Sequence, residues 1–120
     1  MIAKRSEDLI LWQRSRALSR SVHSYAKSGK FKMDFGLVDQ IRRSRVSVMS
    51  NIAEGFGRGS NREFKPFLFV AKGSLSEVPS QLYVALDQGY VDHDAFRNAY
   101  EKSQEVGRLI SAFIASMGKS

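Results

Sequence analysis

Apolar side chains recur every three or four residues along most of the chain, which is the spacing of one face of an α-helix. The predicted helices lie at about residues 7–28, 38–58 and 61–88, and from a cap at Asp92 or Asp94 to Met117. No stretch reads convincingly as a strand, and the connections are short, which favours antiparallel neighbours. We therefore predict an all-α fold, an antiparallel up-down-up-down four-helix bundle, in a single domain over residues 1–120.

The central stretch, residues 40–82, predicts a helical hairpin that the rest of the chain must cover. Its first helix ends in the glycine-rich run 55–59, because glycine readily terminates a helix. Ser60 and Glu63 follow with the spacing of a capping box, in which each side chain bonds the other residue's backbone amide. The second helix directs an apolar stripe that includes Leu75 to the core.

Ser6 and Pro79 predict local features of the first and third helices. Ser6 has the type and position of a helix N-cap, and acidic residues follow it. Pro79 lies inside the apolar pattern of the third helix. Because proline lacks the amide that a helical hydrogen bond needs, we expect it to kink the helix or to split it.

Two polar flanks are predicted to face each other between the second and third helices. They consist of Ser47, Ser50, Asn51 and Glu54 on one helix and of Ser74, Glu77 and Gln81 on the other. Their spacing places each set along one side of its helix. We therefore expect an inter-helix layer of hydrogen bonds at this contact.

Motifs that would support catalysis or bind a metal are weak in this sequence. The Gly55-x-Gly57-x-Gly59 run follows a helix and lacks the Gly-Lys-Ser/Thr of a phosphate-binding loop, so we interpret it as a helix end with close chain packing. Neither His23 nor His93 has a glutamate three residues before it, as di-iron sites in helical bundles require. We therefore expect no enzyme activity, no cofactor and no metal site.

Several side chains do not fit the single apolar stripe that each helix needs. Phe69, Tyr83 and Val84 project away from the core side of the third helix, which predicts a second buried surface, namely a subunit interface. Arg45 projects toward the apolar side of the second helix, where an unpaired charge is costly. Arg45 therefore needs either a carboxylate partner or a place in an interface.

Positive charge is concentrated in the first half of a chain whose formal net charge is +7. Residues 1–65 contain 14 Lys and Arg against 6 Asp and Glu, whereas residues 66–120 contain 5 against 6. A basic half favours an acidic partner, nucleic acid first of all. The candidate binding residues are Arg16, Arg20 and Lys27 on one face of the first helix, with Arg42, Arg43, Arg58 and Arg62 further along. The alternatives are a basic surface with no dedicated ligand and an interaction scaffold for a protein partner.

The cysteine content and the N-terminal sequence indicate the compartment. The chain contains no cysteine, which excludes disulfides and thiolate metal sites and fits a reducing environment. The N-terminal apolar run from Leu9 to Trp12 is too short for a signal peptide or a membrane span. We expect a cytoplasmic protein without a membrane-spanning segment.

The segment from Ser47 to Arg58 reads Ser-x-x-Ser-Asn-Ile-Ala-Glu-Gly-Phe-Gly-Arg. It resembles the four-helix-bundle proteins that are encoded in intervening sequences of bacterial 23S rRNA genes. The resemblance continues through Glu63-Phe64, Phe67-Leu68, Ala71-x-Gly73-Ser74-Leu75-x-Glu77, Gln81-Leu82 and Gly89-Tyr90, and upstream through Leu9-x-x-Trp12, Phe35-Gly36-Leu37 and Gln40-Ile41-Arg42-Arg43. Two positions depart from the family pattern: Met49 stands where proline is usual, and Ser44-Arg45 replaces a pair that is usually small and apolar.

The resemblance implies a four-helix bundle that assembles into a homo-oligomer, a ring of five copies. The chain is also similar to accessory proteins of diversity-generating retroelements, which bind a reverse transcriptase and nucleic acid. The resemblance implies no enzyme activity. Together with the charge distribution, it leads us to expect a non-catalytic pentamer that binds RNA or DNA through basic surfaces, with a reverse-transcriptase-like protein as a further candidate partner.

Overall fold

Four α-helices make up most of the structure, a computed structural model that describes residues 3–118. The helices are α1 (Ile10–Ala26), α2 (Phe35–Gly57), α3 (Asn61–Asp87) and α4 (His93–Ser116), with short 3-10 turns at Ser6–Asp8 and Phe31–Met33. The described part of the chain contains no β-strand, which confirms the predicted all-α fold. The ends of the predicted domain, residues 1–2 and 119–120, lie outside the described residues.

The helices pack as a bundle in which each one contacts two neighbours. α2 packs against α1 and α3, and α4 packs against α1 and α3. Between α2 and α3, Ser44 meets Gln81 at one level and Gly55 meets Phe64 at another, so residue numbers rise along one helix as they fall along the other. The same reversed order relates α3 to α4 and α1 to α4. These facing helices therefore run antiparallel.

One side of each helix is buried because its apolar residues recur with the helical period. The largest fully buried side chains are Leu11, Leu18, Val22, Phe31, Ile41, Val48, Ile52, Leu68, Val78, Leu82, Val106 and Ile110. On α3, Leu75 is 5% exposed and Leu82 is 1% exposed. The sequence therefore identified the core side of α3 correctly.

Side-chain caps begin three of the four helices. Asp34 accepts from the Leu37 amide at the start of α2, and Asp92 rather than Asp94 accepts from the Ala95 amide at the start of α4. At the start of α3, Ser60 Oγ accepts from the Glu63 amide at 3.2 Å. The Glu63 carboxylate meets the Ser60 hydroxyl, 3.4 Å away, instead of the Ser60 amide, so only half of the predicted capping box forms.

The predicted N-cap at Ser6 is wrong. Residues 6–8 form a separate 3-10 turn, and Leu9, an extended residue without a side-chain cap, precedes α1. Within the turn, the Asp8 carboxylate accepts from the Arg5 amide at 3.2 Å. That local bond competes with continuation of α1 toward the N-terminus, because it holds the backbone in a tighter turn.

Helix α3 continues through Pro79 from Asn61 to Asp87, so the predicted alternative in which the helix splits there is wrong. Pro79 lines a shallow groove between α3 and α4, beside Ser103 and Gly107. These small residues leave room for the proline ring on that side of the helix. Packing of the flanking turns, which include the buried Leu75 and Val78, outweighs the loss of one helical hydrogen bond.

Candidate nucleic-acid interface

The outward face of α1 carries a row of basic side chains. Arg16, Arg20, His23 and Lys27 are spaced four, three and four residues apart, which keeps them within about 60° of one direction around a helix. All four are exposed. The opposite side of α1, which includes the fully buried Leu18, packs into the core. Burial of that side therefore fixes the basic row toward solvent.

Arg45 extends this row onto α2. Its Nη1 donates a 2.7 Å hydrogen bond to Oγ of the buried Ser19, and its Nη2 lies 3.5 Å from Nδ1 of His23. Its Nε is enclosed and has no hydrogen-bond partner among the described residues. Burial lowers the pKa of the Arg45 guanidinium below its usual range, and the positive charge of Arg42 lowers it further. Arginine nevertheless stays charged at neutral pH.

We define the basic face as Arg16, Arg20, His23 and Lys27 with Arg42 and Arg45. Within residues 3–118 no carboxylate forms an ion pair with Arg16, Arg20, Lys27 or Arg45. Only Arg42 has such a partner, the Asp39 carboxylate at 2.8 Å. Clustered cations without counter-charges produce a positive potential that attracts anions, phosphates among them. The basic face can therefore hold an anionic ligand by charge.

The other predicted binding residues do not join this face. Arg43 pairs with Asp39 at 3.0 Å and lines the groove between α2 and α3, on the far side of α2 from Arg45. Arg58 pairs with Glu54 at 2.9 Å, and its guanidinium carbon lies 5.1 Å from the centre of the Phe67 ring. Arg62 is exposed at the start of α3. The seven predicted residues are thus distributed over several surfaces.

The predicted polar layer between α2 and α3 forms from four of the predicted residues, with Ser44 as an additional member; the four are Ser47, Ser74, Glu77 and Gln81. The Ser47 and Ser74 hydroxyls lie 2.8 Å apart. The buried Ser44, which was not predicted in this layer, accepts from Gln81 Nε2 at 3.0 Å and lies 3.1 Å from Glu77 Oε2. A groove of about 640 Å³ opens above these side chains. The bonds hold α2 at a fixed register on α3, and through α2 they fix the position of Arg45.

The three apolar residues of α3 that face away from the core differ in what they contact. Tyr83, 48% exposed, packs on the rings of Phe96 and Tyr100 of α4, with centroids 4.7 Å and 6.2 Å away. Phe69 lies on the same flank, and at 1.5 Å per residue it is about 21 Å further along the helix. Val84 points about 100° away from Tyr83. Phe69 and Val84 are about half exposed, so apolar surface remains uncovered on this side of the bundle.

The glycine run ends α2, as the sequence predicts, with close packing only at Gly55. A Cβ on Gly55 would lie 2.6 Å from Phe67 Cβ, whereas a Cβ on Gly57 would meet nothing within 4 Å. Gly59 has a φ of +88°, which suits the end of a helix. No group of three or more His, Cys, Asp or Glu side chains that could hold a metal ion occurs in the described range. None of the helices in this range combines the length and the apolar composition of a membrane span.

Sequence reasoning did not place Arg45, Ser19 and His23 together. The three residues belong to two helices, and their meeting depends on how α1 and α2 are paired. One signal in the sequence pointed to it. Arg45 lies near the apolar side of α2, and a guanidinium there needs polar groups from the neighbouring helix. In the structure, the Ser19 hydroxyl and the His23 imidazole contact Arg45, in place of the carboxylate partner that was one of the two expectations for this residue.

Comparisons with known proteins give one family and a similar structure. The sequence pattern of the family described as "23S rRNA-intervening sequence protein" matches residues 7–112. A crystal structure of a protein of unknown function, from the S23 ribosomal protein family of Bacteroides thetaiotaomicron, has a similar fold with a TM-score of 0.78. The two sequences are 23% identical, and the match covers 88% of this chain and 98% of that chain. No curated protein matches the chain.

Proposed function

The chain belongs to the 23S rRNA-intervening sequence protein family. We propose that it is a non-catalytic, cytoplasmic, oligomeric protein and that it binds RNA through the basic face. Family membership supplies the association with an rRNA gene. The fold supplies a helical bundle that presents charged side chains on defined helix faces.

The observation that supports RNA binding is the set of cations without counter-charges on α1 and α2. Arg16, Arg20, Lys27 and Arg45 lack an ion pair within the described part of the chain, although the protein has carboxylates elsewhere. Arg45 is partly desolvated where it contacts Ser19 and His23, and arginine stays charged at neutral pH, so it would attract a nearby anion more strongly than a fully hydrated side chain would. A phosphate chain provides such anions in a row.

Binding of this kind should weaken steeply with salt, because cations that neutralise phosphates release condensed counterions. Four phosphate contacts give a slope of about −3 in log K against log salt for a single strand. We expect the Arg16→Gln/Arg20→Gln variant to bind RNA more weakly, with a slope shallower by about 1.4. Fluorescence anisotropy of a labelled RNA across a salt series measures both quantities.

The matched control is Arg97→Gln/Arg108→Gln, which removes the same charge from exposed positions on α4. We expect this control to keep nearly the wild-type slope. Absence of binding at low salt, or binding that is indifferent to salt, would exclude the electrostatic mechanism. Equal weakening in both variants would show that net charge matters and that the basic face does not. An unaffected Arg16→Gln/Arg20→Gln variant would move the site to Arg42, Arg43, Arg58 and Arg62.

The proposed assembly is a closed homo-oligomer, with a ring of five copies as the expected form. It is supported by apolar surface that stays uncovered on α3, where Phe69 is 53% exposed and Val84 is 45% exposed. Exposed aromatic and aliphatic side chains of this kind are typical of subunit interfaces. A ring would also repeat the basic face around the assembly and raise the avidity for a long RNA.

The Phe69→Glu variant should lower the assembly state while the helices remain folded, because it places a charge in the proposed interface. Light scattering coupled to size exclusion measures the mass, and far-UV circular dichroism measures the helix content. Lys32→Glu, at an exposed position on the connection between α1 and α2, is the control and should leave the mass unchanged. A wild-type monomer at micromolar concentration would contradict the proposed assembly.

A scaffold that binds another protein is the second candidate function. It is favoured by the half-exposed Tyr83 in an aromatic cluster with Phe96 and Tyr100, since exposed aromatic side chains are frequent anchors at protein interfaces. A reverse-transcriptase-like protein is the candidate partner. Under this proposal, the Arg16→Gln/Arg20→Gln variant would show no RNA-binding defect because the wild type would show no RNA binding.

A further inference from the structure

Trp12, the only tryptophan in the chain, lies at one end of the basic face. It precedes Arg16 by four residues on α1, so the two side chains leave the helix one turn apart and within about 40° of each other. Trp12 is half-buried, with part of the ring packed against the core. The flank of α1 that carries Trp12 also carries Ser19, the residue that holds Arg45.

The indole N–H of Trp12 forms no hydrogen bond with another described residue. Among the described residues, the enclosed polar side-chain atoms without a partner are Arg45 Nε and Gln81 Oε1, so the Trp12 N–H is not fully enclosed. A tryptophan N–H that is buried usually finds a partner. The part of Trp12 that does not pack against the core is therefore available for contact beside Arg16.

Apolar side chains also border the α2 side of the face. Val46 is 44% exposed and lies within one helical turn of both Arg42 and Arg45. Met49, one turn further along, is half-buried. The cations of the basic face are therefore bordered by apolar and aromatic groups on both helices.

This mixture suits a single strand better than a duplex. A duplex keeps its bases stacked and offers mainly phosphates and sugars to a convex helical surface, so Trp12 and Val46 would gain little from binding it. A single strand offers phosphates together with unstacked base faces, and an unstacked base can stack on an aromatic side chain.

Resting on the proposed nucleic-acid binding, we infer that the basic face selects single-stranded over double-stranded RNA, with Trp12 stacked on a base beside phosphates held by Arg16, Arg20 and Arg45. The preference for single strands follows from contact with the base, which pairing and stacking in a duplex would block. Sequence preference should stay weak, because every base has a π-face.

The test uses the full chain with a single-stranded RNA of about 12 nucleotides, a length within the range that single-strand-binding sites cover. The strand has no self-complementarity, and the same strand annealed to its complement is the duplex. Anisotropy of a label on the RNA reports binding, and tryptophan-selective fluorescence reports contact at Trp12 alone. We expect quenching by the single strand, little change with the duplex, and tighter binding of the single strand at equal salt.

Two variants separate stacking from packing. Trp12→Leu keeps an apolar side chain for the core but removes the large ring, and we expect about tenfold weaker binding of the single strand with less than about twofold change for the duplex. Trp12→Phe restores an aromatic ring and should recover part of the loss. Circular dichroism confirms that both variants fold. If Trp12→Leu does not fold, stacking is tested by the wild-type protein alone, through quenching of Trp12 fluorescence by the single strand and by the duplex.

The outcomes distinguish the two proposals. Salt-dependent binding with unchanged tryptophan fluorescence at saturation would overturn Trp12 stacking and leave the electrostatic function intact. Equal affinity for the single strand and the duplex would also overturn the inference. If neither RNA binds at low salt, the inference falls together with the proposed function on which it rests.

Discussion

Replacing Leu75 by alanine is expected to lower the free energy of unfolding by about 2–5 kcal/mol, as truncation of a buried leucine does. Leu75 is 5% exposed and faces α4, where its Cδ2 lies 3.6 Å from the position of a Cβ on Gly107. It also lines the groove of about 470 Å³ between α3 and α4. Water can enter part of the space that truncation leaves, so the loss should be near the lower end of this range.

Urea denaturation monitored by circular dichroism measures the decrease in the free energy of unfolding. Two further variants on the same helix serve as comparisons. Leu68→Ala removes a side chain with 0% exposure and should reach the upper end of the range, because its cavity cannot fill with water. Lys72→Ala truncates an exposed side chain that has no place in the proposed interface, and it should change stability by less than about 0.5 kcal/mol. A Leu75→Ala loss below about 1 kcal/mol, or one larger than that of Leu68→Ala, would contradict this account of the core.

The helices and the core side of α3 were predictable because they depend on periodicity within a single segment. Leu75, Leu82 and Ser60 act through neighbours three or four residues away, and these relations are visible in the sequence. Of the two alternatives expected at Pro79, a kink or a split, the split is wrong for the opposite reason. Continuity of α3 there depends on space beside Gly107 of α4, which a local pattern does not contain.

The candidate site also combines features that follow from one helix with features that depend on how helices pair. The row formed by Arg16, Arg20 and Lys27 follows from spacing within α1, and its exposure agrees with the prediction. The position of Arg45 against Ser19 depends on the pairing of two helices, so the sequence showed only that Arg45 was in an unusual place. Asp39 pairs with both Arg42 and Arg43, so its one negative charge offsets one of their two positive charges, which a count over half the chain does not localise.

Arg45 also connects stability with the proposed function. A desolvated guanidinium without a carboxylate partner weakens a fold, since its hydrogen bonds only partly replace its hydration. An anion bound beside it would offset that cost in the complex. A bound phosphate chain should therefore stabilise the folded protein, in keeping with the general linkage between ligand binding and folding.

Alanine at Gly55 and alanine at Gly57 are expected to have effects of opposite sign. A Cβ on Gly55 would lie 2.6 Å from Phe67 Cβ, 2.8 Å from Phe64 Cδ1 and 3.2 Å from the Phe64 carbonyl oxygen. Phe67 Cβ is attached directly to the backbone of α3, so rotating a side chain cannot relieve the contact. The ends of α2 and α3 must move apart, and we expect a loss of about 1–3 kcal/mol from such overpacking.

Gly57 is two residues away on the same helix, and a Cβ there would meet nothing within 4 Å. Its backbone is helical, so alanine reduces the entropy of the unfolded chain without strain and should add about 0.4–1 kcal/mol. Urea denaturation of the two variants measures the change in the free energy of unfolding, which we expect to fall for Gly55→Ala and to rise for Gly57→Ala. Separation of α2 and α3 would also disturb the Phe64 ring, which lies 6.0 Å from Phe56 and 6.4 Å from Phe113 between centroids, so near-UV circular dichroism should change for Gly55→Ala alone. A neutral or stabilising Gly55→Ala would show that the two helices do not approach this closely, and the glycine run would then need an explanation other than packing.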